Sequence, residues 1–160
     1  MAFSICFTTH ADYIDEDNGD RYAVGRITIG EFEENFRSSL FEWEKQTYEA
    51  QWLHSLERFL AGAQSAVLIT FYVNPKESSN LEWWALYRGD GDTVHIQNQL
   101  LFYNQLNREF SIAEASNFLR DRRTVSEDGD PISEWHLTLG DLELFLKQMR
   151  HPNNAPHGAS

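Results

Sequence analysis

Residues 81–103, with the sequence LEWWALYRGDGDTVHIQNQLLFY, constrain the fold more than any other part of the chain. Two runs of strand-forming residues, the first aromatic and the second with Thr93, Val94 and Ile96, flank the turn sequence GDGD at residues 89–92. Glycines at Gly89 and Gly91 supply the positive φ values that a tight antiparallel connection needs. The stretch therefore predicts a β-hairpin formed by residues 81–88 and 93–103.

The two predicted strands differ in which faces are apolar. The first carries apolar side chains on both faces, with Trp83 and Trp84 on opposite sides, as is typical of an inner strand. The second alternates, with one face made by Val94, Ile96, Leu100 and Phe102 and the other by His95, Gln97 and Gln99. A buried amide without a partner costs about 1–3 kcal/mol, so we expect the amides at residues 97–99 to hold neighbouring loops or an interface.

The remaining patterns predict an α+β fold. Further strands are expected at residues 3–9, 22–29, 32–43, 66–73 and 132–139. The spacing of Phe32, Phe36 and Leu40 also fits a helix, and at 32–43 a strand is the preferred of the two interpretations. The apolar period that includes Tyr48 and Trp52 predicts a long helix over residues 44–63, lying across one face of the sheet. Ser111 with Glu114 predicts a short capped helix at 111–119, and Thr138 with Asp141 predicts the start of a terminal amphipathic helix.

Chain length and composition indicate one domain. With 160 residues the chain is long enough for a single substantial core. We expect residues 1–150 to form one domain, a mainly antiparallel sheet with the long central helix and the C-terminal helix packed on it. Residues 151–160 contain two prolines and no apolar period, and predict a disordered tail.

Charge and composition limit the possible partners. Asp and Glu outnumber Lys and Arg by 25 to 13, and the resulting net charge of −12 repels phosphate backbones and attracts basic proteins. Cys6 is the single cysteine, so a disulfide within the chain and a cysteine-rich metal site are excluded. The start of the sequence lacks the features of a secretory signal, and no apolar run is long enough for a membrane span. We therefore expect a cytoplasmic protein that binds neither nucleic acid nor membranes.

The acidic segment at residues 11–20 resembles a calcium loop only superficially. If Asp15 and Asp17 were the first and third ligands, the sixth position would be Asp20 instead of glycine. The twelfth would be Arg26 instead of a bidentate glutamate. The segment is better interpreted as a solvated polar loop or as a docking patch for a basic partner.

Catalytic motifs are absent from the sequence. None of the six histidines forms an H-x-H or H-E-x-x-H pair. His95 and His136 both fall on predicted strands, so a nuclease-like pair with a carboxylate or arginine is one alternative. Glu82 and Glu134 are alternatively glycosidase-like acids, although an edge position or a salt bridge is the simpler interpretation. We predict no catalytic residue, no cofactor and no metal site.

Three short motifs carry a family resemblance. The motifs are WALYR at residues 84–88, IQNQLLF at 96–102 and SEW at 133–135. Over roughly residues 25–147, the chain resembles the CdiI-type immunity proteins of contact-dependent growth inhibition systems. The resemblance implies a non-enzymatic α+β protein that binds the C-terminal toxin domain of a CdiA protein and covers its active site. Many such toxins are nucleases with basic active sites.

The candidate contact residues are carboxylates outside the predicted core, and neither a motif nor the resemblance selects them. They are Asp15, Glu16, Asp17, Glu31, Glu33, Glu34, Glu127, Asp128 and Asp130. The last group also neighbours the basic cluster of Arg120, Arg122 and Arg123, which we expect it to neutralise. Two alternatives stay open: an acidic adaptor or regulatory domain without enzymatic activity, and an enzyme that uses His95 and His136.

Overall fold

A computed structural model describes residues 2–151 as an α+β structure with two antiparallel sheets, which confirms the predicted fold class. The strands are β1 (Phe3–Phe7), β2 (Tyr13–Ile14), β3 (Arg21–Ile29), β4 (Phe32–Ser39), β5 (Ser65–Phe71), β6 (Asn80–Arg88), β7 (Thr93–Phe102) and β8 (Trp135–Thr138). The helices are α1 (Lys45–Leu60) and α2 (Leu139–Arg150), with 3₁₀ turns at Tyr103–Gln105 and Ile112–Phe118. The predicted disorder at 152–160 lies outside the described residues.

The first sheet is built around β3, which pairs with β1 and β2 along one edge and with β4 along the other. Gly30, at φ 63°, makes the tight turn between β3 and β4, as expected. The strand predicted at 32–43 forms but ends at Ser39. The end of β4 is also tied to other elements: Ser38 Oγ donates to the Thr70 carbonyl at 2.5 Å, and the Ser39 carbonyl accepts from Tyr48 Oη at 2.7 Å.

The second sheet has the order β5-β6-β7-β8 and contains the predicted hairpin as its two inner strands. The positive φ predicted for both turn glycines is found at Gly91, at 61°, and is wrong for Gly89. Trp83 and Trp84 are each 1% exposed, so β6 is covered on both faces as predicted. The predicted alternation of β7 is present, with Val94 and Ile96 buried on the apolar face, whereas Leu100 and Phe102 at the far end of that face are 50% and 37% exposed. The last strand, β8, pairs only with Thr93–Ile96, so the second half of β7 forms a free edge of the sheet.

Helix α1 follows its predicted pattern but not its predicted position. Its side chains bond to the free edge of β5 instead of lying only over a sheet face: Gln51 Nε2 donates to the Val67 carbonyl, and Gln51 Oε1 accepts from the Ile69 amide, both at 2.9 Å. Trp52 Nε1 donates to the Ile69 carbonyl at 2.6 Å. An edge strand exposes unpaired backbone groups, and these side chains satisfy them.

The two predicted helix caps have different outcomes. At α2 the capping box is present, since the Asp141 amide donates to Thr138 Oγ1 at 3.2 Å and the Thr138 amide donates to Asp141 Oδ2 at 2.9 Å. The segment after Ser111 forms a 3₁₀ turn without a side-chain cap, because Glu114 has non-helical backbone angles. Buried side chains from both sheets and both helices form one contiguous core.

Candidate functional site

Residues 11–20 form the acidic loop, a tight turn whose conformation is fixed by hydrogen bonds within the loop itself. Asp15 Oδ1 accepts from the Asp17 amide at 2.9 Å, and the Asp15 amide donates to the Asp20 carbonyl at 2.8 Å. Gly19 occupies the left-handed region at φ 75°, which allows the chain to reverse. Glu16 and Asp17 therefore project from a fixed backbone, and both are exposed.

Basic residues neutralise only the base of the acidic loop. Asp12 lies 3.5 Å from Arg21 Nε and 3.2 Å from Lys45 Nζ, and Asp15 lies 3.8 Å from a nitrogen of Arg37. Within residues 2–151, neither Glu16 nor Asp17 makes an ion pair. The tip of the loop is thus a source of uncompensated negative potential.

Exposed apolar side chains lie next to this negative potential. A cleft of about 440 Å³ is lined by Asp15, Asp20 and Phe41, among others, and Phe41 is 64% exposed. Ile14 is 67% exposed and is paired with Arg21 in the sheet. The Arg21 carbonyl also accepts from the amide of Leu40, the residue before Phe41, so Ile14 and Phe41 flank the same strand end. An apolar centre with a charged rim is the usual composition of a protein-binding surface. We call Ile14, Phe41 and the acidic loop the loop–Phe41 surface.

The second predicted segment lies at the opposite end of β3. Glu31 forms the turn, and Glu33 and Glu34 are exposed on β4. The eight residue steps of β3 at about 3.4 Å each put this turn roughly 27 Å from the acidic loop. Glu82, predicted at an edge or in a salt bridge, lies on the inner strand β6, where burial and then the charge of Glu34 raise its pKa.

The third predicted segment is a separate exposed turn closed by a β-bridge between Val125 and Pro131. Glu127 lies 4.0 Å from Arg123, in agreement with the expected neutralisation. For Arg122 that expectation is wrong, since its partner is Glu134. The structure therefore distributes the predicted carboxylates over separate patches and does not gather them into one.

The groups that the structure does bring together surround Glu134. His95 on β7 is directly opposite His136 on β8, and their ring centroids are 4.9 Å apart. Arg122 donates to both oxygens of Glu134, at 2.7 Å to Oε2 and 2.5 Å to Oε1, and Gln97 Nε2 donates to Oε2 at 2.7 Å. We call His95, Gln97, Arg122, Glu134 and His136 the Glu134 cluster.

The electrostatics of the Glu134 cluster favour an ionised carboxylate beside a neutral imidazole. The hydrogen bonds from Arg122, with that from Gln97, lower the pKa of Glu134 to about 2 despite its partial burial. Burial, followed by the charge of Arg122, lowers the pKa of His95. The sequence indicated that the histidines could meet, and the alternation His95-x-Gln97 and Glu134-x-His136 was the available signal that the cluster shares one face.

The predicted role of the amides is confirmed for Gln97, whereas Gln99 bonds within the sheet. Gln97 Nε2 donates to the Arg123 carbonyl at 2.9 Å and so ties down the loop before β8. Gln99 accepts from Trp83 Nε1 and donates to the hydroxyl of Tyr87, both at 3.0 Å. Only Asn98 of the three is exposed.

Cys6 has the basic neighbour that the sequence did not reveal. In the ladder between β1 and β3 its direct partner is Arg26. Burial nevertheless dominates and raises the pKa of the thiol, although the charge of Arg26 opposes this. A raised pKa lowers the thiolate fraction, which fits the predicted packing role.

No helix among residues 2–151 combines the length and apolar character needed to cross a membrane.

The family model described as "CdiI N-terminal domain" matches residues 38–145. Immunity protein CdiI of Enterobacter cloacae subsp. cloacae is 29% identical over 133 residues, covering 83% of this chain and 90% of that protein. A solved CdiA-CT/CdiI toxin and immunity complex from Enterobacter cloacae contains a chain that superposes with a TM-score of 0.81 at 28% identity, covering 96% of this chain and 99% of that one.

Proposed function

The chain belongs to the family of the CdiI N-terminal domain, as its sequence motifs suggested, and we propose that it is an immunity protein that binds and neutralises the C-terminal toxin domain of a cognate CdiA protein. The similarity to a chain from a solved toxin and immunity complex carries this proposal, because it extends over 96% of the chain. The protein acts by binding, without catalysis of its own, and we place it in the cytoplasm. Residues 1–150 act as one domain.

The charge of the chain supports a basic toxin, and we propose that it is a nuclease. A nuclease active site attracts phosphates, so an inhibitor that covers it competes with nucleic acid for the same potential. Exposed carboxylates on a chain with a net charge of −12 are a direct physical means of doing so. Such a field also accelerates association, up to about 10⁸–10⁹ M⁻¹ s⁻¹ at low salt. Fast capture suits a protein that must act before its target does.

Among the candidate carboxylates we assign the main contact to the loop–Phe41 surface. Glu16 and Asp17 supply negative potential from a fixed backbone, and Phe41 supplies an apolar anchor that water would otherwise surround. Asp15 is a further proposed contact of the same surface, and the proposed contacts outside it are Glu31, Glu33, Glu34, Glu127, Asp128 and Asp130. Because the acidic loop and the β3–β4 turn lie roughly 27 Å apart, we expect a toxin domain to meet one of them directly and to sense the other through its field.

Co-expression and binding kinetics test the proposal. The chain should rescue cells from the toxin domain encoded beside it and from no unrelated toxin. Glu16→Lys with Asp17→Lys should slow association several-fold at low salt, and added salt should shrink the difference. These substitutions spare Asp15, whose carboxylate holds the loop together. Phe41→Ala should accelerate dissociation instead, because it removes an apolar contact.

Matched charge reversals separate a specific surface from net charge. Glu31→Lys with Glu33→Lys, and Glu127→Lys with Asp128→Lys, change the total charge equally at exposed positions elsewhere. An equal slowing by all three pairs would contradict the assignment to the loop–Phe41 surface. Failure to bind the adjacent toxin domain would reject the immunity function and favour the acidic adaptor.

A further inference from the structure

We propose that His95, Glu134 and His136 form a binding site for Zn²⁺. Among the described residues, these three place a nitrogen, an oxygen and a nitrogen within 4.8 Å of one another. Glu134 Oε1 is the centre of the group, 3.4 Å from His95 Nδ1 and 3.2 Å from His136 Nε2. Two imidazoles with one carboxylate are a donor set that zinc uses in proteins.

The distances fit tetrahedral coordination. Zinc binds imidazole nitrogen and carboxylate oxygen at about 2.0–2.2 Å, and two ligands of a tetrahedron at that distance are about 3.3–3.5 Å apart. Both distances to Glu134 Oε1 are close to that separation. Rotation of the imidazole of His136, whose side chain is 54% exposed, can shorten the remaining distance between the two nitrogens.

The His95 ring is already oriented for a metal. Its Nδ1 atom is buried and has no hydrogen-bond partner within residues 2–151, since the approach of Glu134 Oε1 is not a hydrogen bond. Its Nε2 atom lies so close to Gly89 that a Cβ there would be only 2.6 Å away. Gly89 therefore leaves the space that lets the ring turn Nδ1 toward Glu134. A zinc ion would give this buried atom the partner that it lacks.

The carboxylate is also oriented for binding through Oε1. Gln97 Nε2 and Arg122 Nε both donate to Oε2 at 2.7 Å and fix the plane of the group. Such bonds to a ligand's second atom are the usual support of a protein zinc site. Arg122 Nη2 donates to Oε1 at 2.5 Å, and His136 Nε2 is hydrogen-bonded to the same oxygen at 3.2 Å, so zinc must replace both bonds. The partly exposed Arg122 side chain has solvent to move into, and a water completes the fourth position.

Titration of the metal-free full chain with zinc chloride, followed by calorimetry, tests the site. We expect one zinc per chain, and at least about tenfold weaker binding after His95→Ala, Glu134→Gln or His136→Ala. His54→Ala, which removes an exposed histidine on α1, should leave the affinity unchanged. Circular dichroism spectra identify any variant that fails to fold.

Two measurements on the unsubstituted chain keep the test independent of folding defects. Nitrogen chemical shifts of the imidazoles should show zinc on Nδ1 of His95 and Nε2 of His136. Co²⁺ in place of zinc should give the visible absorption of a tetrahedral complex. Absence of binding, zinc located on other histidines, or affinity that survives all three substitutions would overturn the site. Because no toxin is present, these outcomes do not depend on the proposed immunity function.

Discussion

Gly89 packs against the imidazole of His95, with Nε2 only 2.6 Å from the position that a Cβ on residue 89 would take. Gly89→Ala should therefore displace the ring and lower the free energy of unfolding by about 1–3 kcal/mol, as overpacking does. Urea denaturation measures the loss, and the imidazole chemical shifts of His95 report the displacement.

Gly140→Ala is the control for that substitution. Among residues 2–151, a Cβ at Gly140 would meet only Thr138 Oγ1, at an ordinary 3.7 Å, in the first turn of α2. Alanine should stabilise the helix there by roughly 0.5–1 kcal/mol. Equal effects of the two substitutions would show that the contact between Gly89 and His95 is unimportant.

Trp83 and Trp84 are equally buried but differ in hydrogen bonding. Trp83 Nε1 donates to Gln99 Oε1 at 3.0 Å, whereas Trp84 Nε1 is buried without a hydrogen-bond partner among the described residues. Replacement of either by alanine should cost about 3–5 kcal/mol. Trp83→Phe should cost about 1 kcal/mol more than Trp84→Phe, because it leaves the side-chain oxygen of Gln99 without the donor it has in the parent chain. Guanidinium denaturation of the two phenylalanine variants compares them, and the reverse order would contradict this account.

Gln51 supports the free edge of β5 with two hydrogen bonds. Gln51→Ala leaves the Val67 carbonyl and the Ile69 amide without these partners, so we expect a loss of about 1–3 kcal/mol in the free energy of unfolding. Hydrogen exchange should show faster exchange of the Ile69 amide. Gln46→Ala, at an exposed position of the same helix, should change neither quantity.

Glu82 gives the stability of the chain a predictable dependence on pH. Burial and the charge of Glu34 raise the pKa of Glu82 in the folded protein above its ordinary value of 4.5. The folded state therefore holds this proton more tightly than the unfolded state, and stability is lost as pH rises through the folded pKa. Glu82→Gln should be more stable than the parent chain at pH 7, and this advantage should vanish below about pH 4.

Thermal melts at several pH values measure this difference. Glu33→Gln, which changes an exposed carboxylate on β4, is the control. An advantage of Glu82→Gln that is the same at pH 4 and pH 7 would indicate a packing effect and not a titration.

The sequence alone determined the features that depend on local pattern. Alternation along residues 81–103 gave the hairpin and its buried tryptophans, the apolar period gave α1, and Thr138 with Asp141 gave the start of α2. Three short motifs identified the family. These features follow from side-chain periodicity and from contacts between residues a few positions apart, which a sequence displays directly.

Only the tertiary structure decided which distant side chains meet. It placed Gln51 on the edge of β5, paired Arg122 with Glu134 instead of the neighbouring carboxylates, and separated the acidic loop from the turn at Glu31. The sequence allowed His95 and His136 to meet, but the register of β7 against β8 put them opposite each other. Register and strand order result from the packing of the whole core, because a shift of one residue would turn every buried side chain of a strand to the other face.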